Sequence, residues 1–338
     1  MKPMQRTGTL LRYLGPFVGL ALVIAVFGIL NYLHGTADDF LNWSNFQLLI
    51  THASIVAAAG LGMTIIMIAG GIDLSVGYVI SLVTVIMMMT FRWVINDLAG
   101  SETMAGLAAL AAGLLTGVVC GTFNGVVITQ WKIVPFVATL AMLGIARGVG
   151  IYFTEGSRLS FPTGTGPLPW MTALRSIDPM ADWTFFSPSV WSVFILGCIV
   201  AAVLRYTVLG RHCFAIGSSE PTARLCGVRV ERTKIMIYAL AGLLTGWAGV
   251  LQFCRSGAGS HDVGAGMELS VIAAVVIGGG SLNGGEGTIL GTILGAIIIS
   301  VLDNGCSRLN LQPDVRYVII AAIILGVAAL NSWRSTKR

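Results

Sequence analysis

Apolar runs of helix-spanning length recur along nearly the whole chain, and no other feature limits its fold as strongly. An α-helix rises about 1.5 Å per residue, so about 20 apolar residues cross a hydrocarbon layer with every backbone N–H and C=O paired inside the segment. Runs that meet or approach this length cover residues 13–32, 46–69, 74–91, 104–128, 134–153, 190–204 and 235–251. Shorter ones follow at 269–277, 289–302 and 317–330. The reading is an all-α, polytopic membrane protein with about ten transmembrane helices, some short or broken. Whether all three short segments cross fully stays open, since losing two as a re-entrant pair leaves the position of the C-terminus unchanged.

Composition agrees, with 55% of the 338 residues hydrophobic and 10% charged, where soluble domains carry about a quarter charged residues. The longest hydrophilic interval, 155–187, is too short for a separate soluble core. A single integral membrane domain over 1–338 is therefore expected. The run at 13–32 follows Lys2, Arg6 and Arg12; it is longer than a signal-peptide core and ends without a small-x-small cleavage site, so it reads as a retained first span.

The net charge of +5 does not gather into a nucleic-acid-binding patch, because the basic residues stand at the ends of apolar runs. With an inner N-terminus, thirteen of the twenty fall inside: Lys2, Arg6, Arg12, Lys132, Arg205, Arg211, Arg224, Arg229, Arg232, Lys234, Arg334, Lys337 and Arg338. Six fall outside (Arg92, Arg158, Arg175, Arg255, Arg308 and Arg316), and Arg147 lies within a run. By the positive-inside rule both termini are cytoplasmic, with 1–12, 205–234 and 331–338 inside and 154–187 outside. The outer interval carries Pro162, Pro167, Pro169, Trp170, Trp183, Phe185 and Phe186, which fits either an interfacial aromatic belt or a surface that receives a partner.

No catalytic constellation or metal-ligand spacing is present. The six cysteines lack CxxC or Cys/His spacing, and the four histidines are scattered, so the cysteines read as small core residues. GGGSLNGGEG at 278–287 lacks the GxxxxGK[ST] pattern of a phosphate-binding loop. Energy for any transport must come from another subunit or from an ion gradient.

The stretch AGGIDLSVG at 69–77 sets a carboxylate and a glycine pair inside an apolar region. Gly70, Gly71 and Gly77 permit backbone that a Cβ would obstruct, and Asp73, with Ser75 nearby, can cap a helix that restarts at Leu74. A direct role for Asp73 as a proton or cation site is the alternative, since charges within membrane segments are costly and are retained for function. Gly278, Gly279, Gly280 and Ser281 form a second helix break with similar grammar. Two such breaks hint at an internal repeat, although the spacing to neighbouring runs does not match. Arg147 can pair with an acid or extend toward Glu155 at the outer end of its run. Glu268 and Glu286 read as capping or interfacial residues.

Within the inner interval, Ser219 is a good N-cap, Glu220 and Pro221 suit a first turn, and Gly227 suits the position past a helix end. These predict a helix of about two turns over 220–226, outside the bilayer. So short a helix needs packing to hold it, from a cytoplasmic partner or from the chain's own helices.

Four separated stretches together resemble the permease subunits of bacterial ABC importers of the ribose (monosaccharide) type: MTIIMIAGGIDLSVG, VPFVATLAMLGIARG, CFAIGSSEPTARLCGV, and the segment from GMELSVIAAVVIGGG through SLNGGEGTILG to SVLDNG. The resemblance implies a multi-pass protein of the bacterial inner membrane that does no chemistry and binds no cofactor. ATP and Mg would belong to an ATP-binding partner, often one chain with two fused nucleotide-binding domains. A periplasmic solute-binding protein would deliver substrate, and a second permease subunit would complete a homo- or heterodimer. The segment holding Ser219, Glu220, Pro221, Ala223, Arg224, Leu225 and Gly227 matches the family's ATPase-docking stretch. The chain departs from the family pattern at Ser270, at GSSEP and at Glu286. Set apart from the resemblance, two other readings stand: an ion-coupled secondary carrier using Asp73, Arg147 or Glu268, and a branched-chain amino acid or nucleoside permease of the same superfamily.

Overall fold

The computed structural model describes residues 4–34, 40–177 and 185–309, with isolated positions between 311 and 322. Among the described residues there are twelve helices: α1 (Met4–Leu33), α2 (Trp43–Ile68), α3 (Val76–Asn96), α4 (Glu102–Gln130), α5 (Pro135–Thr154), α6 (Pro169–Arg175), α7 (Pro188–Tyr206), α8 (Val208–Ser218), α9 (Glu220–Leu225), α10 (Val230–Ser256), α11 (Met267–Ile277) and α12 (Ile289–Arg308). Eight are long and apolar enough to cross a membrane, and α11 is a shorter apolar helix. Each expected run up to residue 302 coincides with one of these nine. The run at 317–330 falls largely, and the tail at 331–338 wholly, outside the described residues.

Two intervals expected as loops contain helix. Residues 4–12 are already the first turns of α1, and the basic interval 205–234 holds α8, α9 and the start of α10. In the outer interval, Phe161 lies edge-on to Phe91 at 5.1 Å and to Phe253 at 5.9 Å, while Leu168 and Met171 are buried. This part of the interval folds onto the bundle instead of forming a lipid-facing belt.

α2 is the central strut, buried along most of its apolar length, whereas α1 is mostly exposed over Gly15–Leu33. It packs on α10, α11, α12 and α7. Helices in lipid gain little from hydrophobic association, so close van der Waals packing through small residues holds them together. Gly117 and Gly121 of α4 meet Gly242 of α10 this way: a Cβ on Gly242 would overlap the Gly117 carbonyl oxygen and stand 3.0 Å from the Gly121 Cα. Gly125 repeats the contact against Ile235. On the other side of α2, a Cβ at Gly60 would stand 2.9 Å from the Thr292 methyl, and the Thr64 and Thr292 hydroxyls are 2.6 Å apart.

α2 and α10 run antiparallel. The chain after the end of α2 meets Tyr238 near the start of α10, and His52 near the start of α2 meets Arg255 at the end of α10. Each is followed by an irregular stretch, a further helix, and a long helix packed on that one. Thus α2–α3–α4 and α10–α11–α12 repeat one order with one set of neighbours in opposite directions. The equivalent of the 69–75 break is 257–266, not the glycine run at 278–281. Those two glycine stretches look alike because both end helices, and for that reason sequence spacing did not reveal the repeat.

Gly242→Val should wedge α4 from α10. Overpacking of this kind typically costs about 1–3 kcal/mol, so the variant should unfold in detergent clearly below the parental temperature, whereas substitution of Gly156, which has open space beside it, by Asn should leave unfolding nearly unchanged.

Candidate functional site

The glycines of AGGIDLSVG each have a distinct steric cause. Gly70 has φ +78° and closes α2, with its N–H donating to the Met67 carbonyl at 2.9 Å and the Gly71 N–H to Ile66 at 2.9 Å. This paired arrangement satisfies the last carbonyls of the helix. Gly71 lacks a Cβ because one would stand 2.6 Å from the Tyr238 hydroxyl, and at Gly77 a Cβ would overlap the Glu268 carboxylate and the Gly264 carbonyl. The absent side chains let α10 and the start of α11 approach the break.

Asp73 is buried and its Oδ1 accepts from the Ser75 N–H at 2.8 Å and the Ser75 hydroxyl at 2.6 Å. The helix therefore restarts at Val76, two residues later than the sequence predicts, with Ser75 as its N-cap. The carboxylate fixes that capping residue instead of capping the first helical amides itself. Asn124 on α4 donates to the Ser75 hydroxyl at 3.1 Å. Thr139 on α5 accepts the Leu74 N–H at 3.2 Å and donates to the Ile72 carbonyl at 3.4 Å. Neighbouring helices thereby satisfy the backbone groups that the break releases, a condition for irregular backbone inside a bundle. Sequence reasoning missed Asn124, Thr139 and Tyr238; their one advance signal was polarity inside apolar runs.

The second glycine cluster is also a helix stop. Gly279 has φ +90°, its N–H donates to Val276 at 3.0 Å, and the Gly280 N–H donates to Val275 at 2.8 Å. Gly278 packs against the Gly291 backbone of α12, and the Ser281 hydroxyl accepts from the Asn283 N–H at 3.2 Å. The structure brings the two stops together. The Gly285 N–H donates to the Ile68 carbonyl at 2.8 Å, a Cβ on Gly284 would stand 3.0 Å from the Gly70 Cα, and Gly217 at the end of α8 lies against both Ile68 and Gly285. Three chain turns meet without side chains between them.

α9 leaves this junction directly. Ser219 caps it, accepting the Thr222 N–H at 3.4 Å. Gly227, φ +83°, ends it with the same paired closure: its N–H donates to Arg224 at 3.0 Å, and that of Val228 to Ala223 at 3.1 Å. Ala223 is buried with Ile216 and Val230. Arg224 reaches Glu231 at 2.6 Å and Glu220 at 3.4 Å, while Lys234 holds Glu220 at 2.6 Å. The hydrogen bond to Glu231 raises the Arg224 pKa further. Exposed pairs contribute little after solvent screening, so Ala223 and the cap share the work of holding the helix. The chain's own helices support α9, and Leu225 is left 89% exposed.

Arg147 stands apart from these groups. Its guanidinium lies 5.6 Å from the Tyr78 ring centroid, a cation–π contact in place of the expected acidic partner or outer-end placement. Glu268 occupies the first turn of α11, with Oε2 buried against Gly77. Among the described residues, no ion pair or hydrogen bond joins Asp73, Arg147 and Glu268 to one another.

The sequence model of a family described as "Branched-chain amino acid transport system / permease component" matches residues 45–328. The chain is 32% identical over 305 residues to the ribose import permease protein of Escherichia coli (strain K12), covering 90% of each. It is 30% identical over 322 residues to an L-arabinose ABC transporter permease protein of Azospirillum brasilense, covering 95% of this chain and 88% of the relative. With a fructose import permease protein of Rhizobium meliloti it shares 30% identity over 325 residues, covering 94% and 84%.

Asp73→Asn preserves an acceptor for the Ser75 N–H and should unfold near the parental temperature. Asp73→Leu leaves buried donors without one, a loss of about 1–3 kcal/mol, and should unfold markedly earlier in the same detergent assay. Equal destabilisation by both would assign the role to the charge itself.

Proposed function

The chain belongs to this permease family of ABC transporters, and on that premise we propose that it carries a monosaccharide across the bacterial inner membrane into the cytoplasm. It is a transporter component and not an enzyme, with ATP hydrolysis on a separate subunit. α9 is the proposed ATPase contact. The observation that carries this is the exposed Leu225 on a capped two-turn helix whose root touches the stops of both α2 and α11. A push on α9 reaches the Asp73 break through backbone contact alone. The proposed pathway lies along the breaks at Gly70–Gly77 and Gly278–Ser281.

The basic residues around α9 support a cytoplasmic position for this end, with ATP-Mg on a partner that carries two fused nucleotide-binding domains. The opposite end, with the 154–187 interval, would receive a periplasmic solute-binding protein. A second permease subunit, either the same chain or a relative, completes the pathway. α5 offers a face for it: Arg147 is exposed, and a Cβ at Gly144 or Gly148 would meet nothing within 4 Å. An arginine facing lipid at mid-bilayer costs about 2.5–3.5 kcal/mol on insertion scales, and bare glycines allow close helix approach. The sugar assignment draws on relatives that import ribose, arabinose and fructose.

In proteoliposomes holding the permease, its ATPase and its binding protein, sugar uptake should require ATP. Uptake by the permease alone, driven by a sodium or proton gradient, would establish the secondary-carrier reading instead. Leu225→Glu should leave the permease folded, release the ATPase on purification and lower uptake by about tenfold or more, the expected scale for losing an interface hot spot. Undiminished co-purification would move the contact elsewhere.

A further inference from the structure

At the end of the bundle remote from α9, a cavity of about 540 Å³ opens between α2, α10, α11 and α12. We infer that it is the permease's own selective site for a neutral, polyhydroxylated solute, an assignment that rests on the sugar-import reading and gives it a location. Its walls include His52, Gln252, Arg255, Ser270, Ser300 and Asp303. All six sit on helices whose other faces pack apolar cores. Polar side chains on membrane helices face the bundle interior or a water-filled cavity, and here they converge on one space. Its volume lies within the range of about 300–1,000 Å³ found for small-molecule sites.

The lining also specifies the chemistry. Gln252 and Ser300 are buried, and each offers both donor and acceptor to the cavity, as sugar hydroxyls require. Inside the site the Arg255 guanidinium lies 3.4 Å from His52 Nδ1, and Asp303 lines the same space. With one arginine and one aspartate in the lining, the walls carry both signs of charge instead of a single-sign ring. Ile55, Val56 and Met267 supply an apolar side against which the C–H face of a sugar ring can lie.

The cavity is bounded toward α9. A turn and a half before Ser300 on α12, Gly295 packs directly on the Ala274 backbone of α11, and Gly278 does the same with Gly291 further on. Near its mouth, the Asn45 and Asn304 amides pair reciprocally at 3.0 and 3.3 Å, and Arg308 donates to Asn45 Oδ1 at 2.7 Å. These contacts join α2 to α12 and hold two walls at a set spacing. The result is a vestibule in which α11 and α12 close on each other toward α9 and the rim is braced.

The test uses the reconstituted transporter and radiolabelled D-ribose, L-arabinose and D-fructose, with L-leucine as comparator. If the parental transporter moves none of these sugars, the sugar-import reading fails before the cavity is in question. Given uptake, Gln252→Leu should lower it by about tenfold, the scale of one lost hydrogen bond. It should also alter the preference among the three sugars, with sugar binding to the isolated binding protein unchanged. A merely misfolded permease would reduce all sugars alike, so a second variant accompanies it. Ser270→Cys, made with exposed Cys198 and Cys226 replaced by serine, should lose most of whatever uptake it retains once a membrane-impermeant methanethiosulfonate reagent is added from the far side, with the same variant left untreated as its reference. Unaltered sugar preference in a folded Gln252→Leu transporter, together with uptake within about twofold after thiol treatment of Ser270→Cys, would overturn the assignment. So would leucine uptake through the same cavity in preference to every sugar.

Discussion

A broken helix inside a membrane protein must satisfy the polar backbone groups that it releases, and the rest of this structure depends on how the 69–75 break meets that demand. An unsatisfied buried N–H or C=O costs several kcal/mol in hydrocarbon. The break answers with a glycine closure at Gly70 and Gly71, a carboxylate on Ser75, and Thr139 of α5 reaching two backbone groups at once. Asn124 then ties the capping serine to α4. Helices α4 and α5 have their positions partly because the break needs their side chains.

Close glycine packing serves a related purpose at the α9 end of the bundle. With no side chains between Gly70, Gly217 and Gly284, the ends of α2, α8 and α11 have little room to move independently. Packed backbone shifts between discrete arrangements more readily than it deforms continuously. The salt-bridged base of α9, by contrast, is exposed and costs little to rearrange. Rigidity in the junction and adaptability at its outer surface suit a segment that passes motion inward.

Much of this was legible in the sequence, and the limits were physical. Run length located nine helices because membrane thickness sets it. The α9 cap and the Gly227 stop were readable because capping is local, determined by residues within one turn. The Asp73 break was readable as a break, yet its restart was placed at Leu74: the Asp73–Ser75 bonds are local, but the Asn124 and Thr139 contacts that hold residues 72–75 irregular come from tertiary structure. The repeat was hidden for a similar reason: 257–266 does the work of 69–75 with a different sequence. Arg147 illustrates the remaining gap, since a ring on α3 is its partner and no spacing rule points to Tyr78.

One small feature at the far end has a mechanical consequence. Leu159 and Gly259 exchange two backbone hydrogen bonds of 2.9 Å, a solitary β-bridge among the described residues. It fastens the surface interval after α5 to the stretch that leads from α10 into α11. Because the two bonds act as a pair, Leu159 cannot lift away from the bundle without either breaking both or drawing Gly259 with it. Whatever lands on that surface therefore grips a handle on the half-length helix α11, and the handle is made of main chain, so side-chain variation around it can proceed without loosening the grip.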